Sequence, residues 1–250
     1  MKRIQYFIYF ALILSITQVS CDKSSDTQKG SSGGAGGSLA RFAIVGNYLY
    51  AVDESSINIF DITDPTRPVK KGNVYAGWQV ETIFPYKDKL FLGGQTGMYI
   101  FNITDPARPV NEGQVQHFRA CDPVVSNDTV AYVTLRSMGG RNCGGADNVL
   151  TVYDVKDTKN PMLKRTIGMK SPHGLGVKDK GLYVCEGANG MVVFDLSNPY
   201  IPSIKTTITG ESFYDVIPYG NVLIAYIDKG VCFYDISNPL SPVLLGKMKG

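Results

Sequence analysis

From residue 39 to the C-terminus, apolar residues come in short runs of four to seven, often alternating with polar ones. Turn-forming residues separate the runs, and nothing shows the i, i+3, i+4 spacing of an amphipathic helix. The clearest stretch is 171–210. There, SPHGLGV, LYVC, MVVFDL and a segment from Ser203 to Thr209 read as four successive strands, divided by KDKG, the tight GANG turn and SNPYIP. The third strand and its following turn recur five times, as NIFDITDPTRP, YIFNITDPARP, TVYDVKDTKNP, VVFDLSNPYIP and CFYDISNPLSP. The aromatics Phe60, Phe101, Tyr153, Phe194 and Tyr234 anchor these lines at steps of 41, 52, 41 and 40 residues.

A period near 41 residues, each carrying four short strands, predicts an all-β protein: a five-bladed β-propeller of four-stranded antiparallel blades. The blades are expected at about 39–76, 77–118, 119–169, 170–210 and 211–250. No strand is left over to clasp the last blade to the first. A closed ring is the expectation, and an open array completed by a partner is the alternative. The Asp/Asn-Pro turns are read as hinges rather than calcium sites. Asp or Asn accepts backbone N–H bonds there, proline presets φ, and Thr158 replaces the first proline of the third turn.

The N-terminus is a different kind of sequence. Lys2 and Arg3 precede an apolar run from Ile4 to Ile16, and Thr17-Gln18-Val19-Ser20 leads to Cys21. Residues 1–20 are expected to be a signal peptide. The Ser20–Cys21 junction resembles the lipobox of bacterial lipoproteins, in which the cysteine is lipidated. An ordinary secretory signal is the alternative. Residues 21–38, rich in Gly and Ser, read as the lipidated cysteine and a flexible tether. The expected address is the cell envelope, anchored by lipid at the outer membrane of a Gram-negative bacterium.

Charge narrows the partners. The chain has 25 basic and 22 acidic side chains, and without Lys2 and Arg3 the balance is 23 against 22. That near-neutrality argues against a nucleic-acid partner, which needs a basic face. Four cysteines follow Cys21. Cys121 and Cys143 fall at one end of the third blade, so a disulfide between them is expected in an exported protein. Cys185 and Cys232 read as buried free thiols.

Candidate chemistry comes from superposing the repeats. Glu81, Asp122, His173 and Tyr214 share one position near the start of the innermost strands, with Ala40 there in the first repeat. Arg41 and Asp215 stand one residue on from it. Arg136 and Glu186 lie on loops at the same end. These eight residues are expected to line one mouth of a central channel, the default place for a ligand. Carboxylates around His173 are expected to favour its charged form. Trp78 either walls the mouth or packs between blades, and His117 reads as surface. No G-x-S-x-G elbow, H-E-x-x-H pair or phosphate loop is present, and no catalytic residue, metal or cofactor is assigned.

The stretches SLARFAIVGNYLYAVD, GWQVETIFPY, ACDPVV with AYVTLRS, the CGG at Cys143, PHGLG and YDVIPYGN resemble the LVIVD-repeat proteins, bacterial surface lipoproteins with propeller-like repeats. The resemblance covers the chain after the tether. It implies the fold and a surface address, and brings no activity with it. The functional expectation is a membrane-anchored, non-enzymatic binding or scaffold module for a protein or glycan partner. The alternative is a glycan-acting hydrolase using Glu81, Asp122 and Asp215.

Overall fold

The computed structural model describes residues 37–116, 123–137 and 147–250. The signal peptide, Cys21, the Cys121–Cys143 pair, Asp122 and His117 lie outside the described residues. Among those described there is no helix, and twenty strands form five separate four-stranded sheets.

Blade 1 is β1 (Phe42–Val45), β2 (Tyr48–Val52), β3 (Ser56–Asp61) and β4 (Val69–Tyr75). Blade 2 is β5 (Val80–Tyr86), β6 (Lys89–Gly94), β7 (Gly97–Asn102) and β8 (Val110–Gln116). Blade 3 is β9 (Val124–Asn127), β10 (Val130–Leu135), β11 (Val149–Asp154) and β12 (Met162–Gly168). Blade 4 is β13 (Leu175–Lys178), β14 (Gly181–Cys185), β15 (Met191–Asp195) and β16 (Ser203–Ile208). Blade 5 is β17 (Phe213–Tyr219), β18 (Val222–Ile227), β19 (Gly230–Asp235) and β20 (Val243–Lys249). Every sheet is an antiparallel meander in chain order, so the protein is a five-bladed β-propeller. In the fourth blade β13 begins at Leu175 rather than Ser171. Pro172 has no N–H to give a ladder, although His173 N–H still reaches the Cys185 carbonyl at 2.8 Å.

The repeated turn owes its shape to its side chains. Asp64, Asp105, Asp157, Asn198 and Asn238 each accept the backbone N–H two residues on, at 3.0 to 3.2 Å. Each carbonyl accepts the N–H three residues on. One turn earlier, Asp61, Asn102, Asp154, Asp195 and Asp235 do the same for the N–H two residues ahead. The carboxylates of the repeat are therefore engaged by backbone, which is the hinge role read from the sequence.

Between blades, apolar faces meet. One cluster joins blades 1 and 2 through Tyr50, Ile59, Leu90 and Phe101. A second joins blades 2 and 3 through Phe91, Ile100, Ala131 and Tyr153. A third joins blades 3 and 4 through Tyr132, Val152, Leu182 and Phe194, and a fourth joins blades 4 and 5 through Tyr183, Val193, Leu223 and Tyr234. Cys185 and Cys232 are free thiols buried in the fourth cluster. Three seams carry a further latch. The hydroxyls of Tyr50, Tyr132 and Tyr183 donate to the carbonyls of Pro106, Pro199 and Pro239 in the hinge of the next blade, at 2.8 to 2.9 Å. At the remaining packed seam the tyrosine is Phe91 and the proline is Thr158. There Thr158 Oγ1 donates to Glu112 at 2.7 Å instead.

Blades 5 and 1 meet differently. Near the axis, Ser38 Oγ donates to Asp215 Oδ1 at 3.2 Å and accepts the Leu175 N–H at 2.7 Å. No apolar cluster joins these two blades among the described residues. Among the described residues, the closed ring expected from the repeat count therefore lacks a fifth seam packed like the other four.

Candidate functional site

The site begins with two kinks in the backbone. In β5 the register against β6 slips between Val80 and Thr82, leaving Glu81 as an extra residue. In β17 it slips between Phe213 and Asp215, leaving Tyr214 as the extra one. A bulged residue stands out of the ladder and its side chain is re-aimed. His173, at the same repeat position, sits just ahead of β13. The shared position thus marks a bulge at the channel end of the innermost strands.

The residues placed there touch across blades. Arg136 of the third blade donates through Nη1 to Nε2 of His173 in the fourth. The guanidinium has no acceptor to offer, so Nε2 must be the bare nitrogen and Nδ1 carries the proton. Nδ1–H then donates to the Ser171 carbonyl at 2.7 Å. The His173 carbonyl accepts Thr134 Oγ1 at 2.7 Å, tying the backbone to the third blade as well. On its other side the imidazole meets the Tyr214 ring edge to face, centroids 5.2 Å apart, and Tyr214 in turn meets Tyr226 at 6.1 Å.

The surroundings of this histidine disfavour its charged form. Burial lowers its pKa from the ordinary value and the Arg136 charge adds to that. The Ser171 hydrogen bond and the Glu186 carboxylate act in the opposite direction without prevailing. The Glu186 carboxylate does favour the charged imidazole, as expected, but burial first and the Arg136 cation second outweigh it. Arg136 is itself lowered by burial, with the Glu81 carboxylate favouring its charge. Glu81 accepts from Gln95 Nε2 at 3.0 Å, and Gln95 is buried. Glu186, also buried, accepts the Lys170 N–H at 2.6 Å.

Asp215 faces another environment. Two glycines wall it in: a Cβ on Gly37 would lie 2.4 Å from Oδ2, and one on Gly174 would lie 2.1 Å from Oδ1. Burial pushes its pKa up to about 6, against the lowering effect of N–H groups of Val216 and Leu39 and the Ser38 hydroxyl.

Of the eight residues expected at the mouth, the structure joins Glu81, Arg136, His173, Glu186 and Tyr214 in one chain of contacts and fields. Asp215 stands beside them, enclosed by glycine. Arg41 is exposed at the start of the first blade, where its carbonyl accepts the Val52 N–H. Trp78 is 60% exposed, so it does not pack between blades, and its Nε1–H donates to Gln79. Sequence reasoning missed Gln95 as the partner of Glu81 and Ser38 as the partner of Asp215. It also missed a hollow of about 460 Å³ between the rims of blades 4 and 5, lined by Glu211, Asp228, Lys229, Lys247 and Lys249. The lysines alternating on β20 were its only visible signal.

The comparisons agree with this architecture. The LVIVD repeat family model matches residues 36–76, 173–209 and 215–249. No curated protein matches the sequence. Among solved structures, a functionally unknown protein from Desulfotomaculum acetoxidans superposes with a TM-score of 0.68 at 6% identity, covering 88% of this chain and 71% of that one. The periplasmic gluconolactonase PpgL of Pseudomonas aeruginosa gives 0.60 at 12% identity, covering 82% and 68%. The computationally designed Ika8 protein gives 0.59 at 13% identity, and this chain spans 61% of its length. At such identities the likeness is one of fold.

Proposed function

We propose that this LVIVD-repeat propeller is a non-enzymatic binding module, held at the cell envelope by lipid on Cys21 and presenting its channel mouth to a glycan-bearing partner. The observation that carries the reading is the convergence of four blades on one place, through Glu81, Arg136, His173 and Tyr214. Arg136 and Tyr214 offer hydrogen-bond donors to hydroxyl-rich ligands, and exposed Trp78 offers an aromatic face at the same end. Gly37 and Ser38, expected in the tether, pack instead against Asp215, so a tether of residues 21–36 would let the disk stand off the membrane, while acyl chains contribute roughly 0.8 kcal/mol per buried CH₂.

A binding role fits these groups better than hydrolysis. Both ring nitrogens of His173 are engaged, and the Asp215 oxygens lie against glycine backbone. A glycosidase pair needs one carboxyl free to protonate the leaving group and a second on the opposite face. Glu81 is held by Gln95 and Asp215 by Ser38, which suits positioning over proton transfer.

The test is a panel of envelope glycans titrated against the full chain, with Arg136→Ala, His173→Ala and Asp64→Ala compared. Loss of binding in the first two with retention in the third supports the reading. Equal binding in all four proteins overturns it. Anchoring is tested separately. Cys21→Ser should lose fatty-acid labelling and leave the membrane fraction, and equal labelling of both forms would contradict the anchor.

A further inference from the structure

The fifth seam has the chemistry of an interface and, among the described residues, no occupant. At four seams the position of Leu49 is held by Leu90, Ala131, Leu182 and Leu223, and that of Phe60 by Phe101, Tyr153, Phe194 and Tyr234. All of these are buried against the preceding blade. On the facing side, the position of Ile224 is held by Tyr50, Phe91, Tyr132 and Tyr183, again all buried. Leu49, Phe60 and Ile224 are instead only half-buried.

The rest of both faces follows the alternation of the strands. In β1, Ala43 packs toward blade 2, so Phe42 and Ile44 point the other way, and they are 61% and 47% exposed. In β18, Leu223, Ala225 and Ile227 pack toward blade 4. Tyr226, on the opposite face, is 55% exposed. The latch is missing too. Ile224 stands where a tyrosine hydroxyl would reach the hinge of the next blade, so the Pro65 turn receives none from it. Contiguous apolar faces of this kind mark interaction sites.

We infer that the free face of blade 5 and the free face of blade 1 bind each other between two copies of this chain, head to tail. The argument for that occupant is repeat equivalence. Four packed seams show what fits the outgoing face of a blade, namely the incoming face of the next. Among the described residues, each chain leaves one of each unpaired. The two faces are complementary rather than identical, so the contact is heterologous, and each copy keeps a free face for another.

The experiment is sedimentation velocity on the full chain in mild detergent. Wild type should associate increasingly with concentration. Phe42→Asp and Tyr226→Asp should each lose that association alone, because each removes one of the two faces. Their equimolar mixture should form a heterodimer and stop there, since only one intact pair of faces remains. Should either charge disturb the circular dichroism spectrum, Phe42→Ser and Tyr226→Ser give the same reading. A wild-type chain that stays monomeric, association that survives both substitutions, or a mixture that stays monomeric would each overturn the inference.

Discussion

Replacing Asp215 with asparagine should change how stability depends on pH. The carboxyl sits between Gly37 and Gly174, and burial lifts its pKa from 3.8 to about 6. The folded state therefore holds the proton more tightly than the unfolded state. Stability from this group is fully present below 3.8, falls as pH rises, and is lost above about 6. At roughly 1.4 kcal/mol per pH unit the full penalty is on the order of 3 kcal/mol, and between pH 4 and pH 7.5 about 2 kcal/mol of it develops. Lowered carboxylates such as Asp61 and Asp195 act with the opposite sign, adding stability above their ordinary range and losing it in acid. They titrate equally in both proteins. The assay is urea unfolding of wild type and Asp215→Asn at the two pH values. An amide beside Ser38 alters the hydrogen bond there and with it absolute stability, so the quantity read is the difference between the pH dependences. Wild type should lose about 2 kcal/mol relative to the variant on going from pH 4 to pH 7.5. Parallel profiles would refute the reasoning.

Three further perturbations probe the scaffold. Tyr183→Phe removes the donor to the Pro239 carbonyl and should cost about 1 kcal/mol in urea unfolding; an unchanged midpoint would deny the latch a role in stability. Gly190 has φ of +98°, and a Cβ there would lie 2.3 Å from the Ile208 carbonyl oxygen. Gly190→Ala should therefore cost at least about 2 kcal/mol by the same assay, and a neutral result would contradict that packing. Burial, with Asp215 nearby, raises the Cys185 thiol, so it should resist an aromatic disulfide reagent until the protein unfolds; rapid modification of the native protein would contradict its burial.

Much of this was legible in the chain because repetition turns one local rule into a global one. The aromatic at Phe60 and its four equivalents marked the third strands, and the Asp/Asn turns marked the hinges, since both depend on chemistry within a few residues. Glu81, His173 and Tyr214 were grouped because one repeat position becomes one ring position. What that grouping could not give was direction. The bulges that turn Glu81 and Tyr214 outward depend on register against the next strand. The charge preference of His173 depends first on its burial and then on Arg136, 37 residues away on another blade. The unpacked fifth seam had one signal that went unread. Tyr50, Tyr132 and Tyr183 recur in the second strand, and the fifth blade carries Ile224 in that place.

The central claim, that separate blades converge on His173 at one mouth, is tested most directly by nitrogen-detected NMR of its imidazole across a pH titration. The chain has only two histidines, and His173→Gln assigns the signals. The geometry predicts the Nδ1–H tautomer, a pKa below 6.5, and a rise in that pKa when Arg136 becomes alanine. A freely titrating Nε2–H imidazole, indifferent to Arg136→Ala, would contradict it.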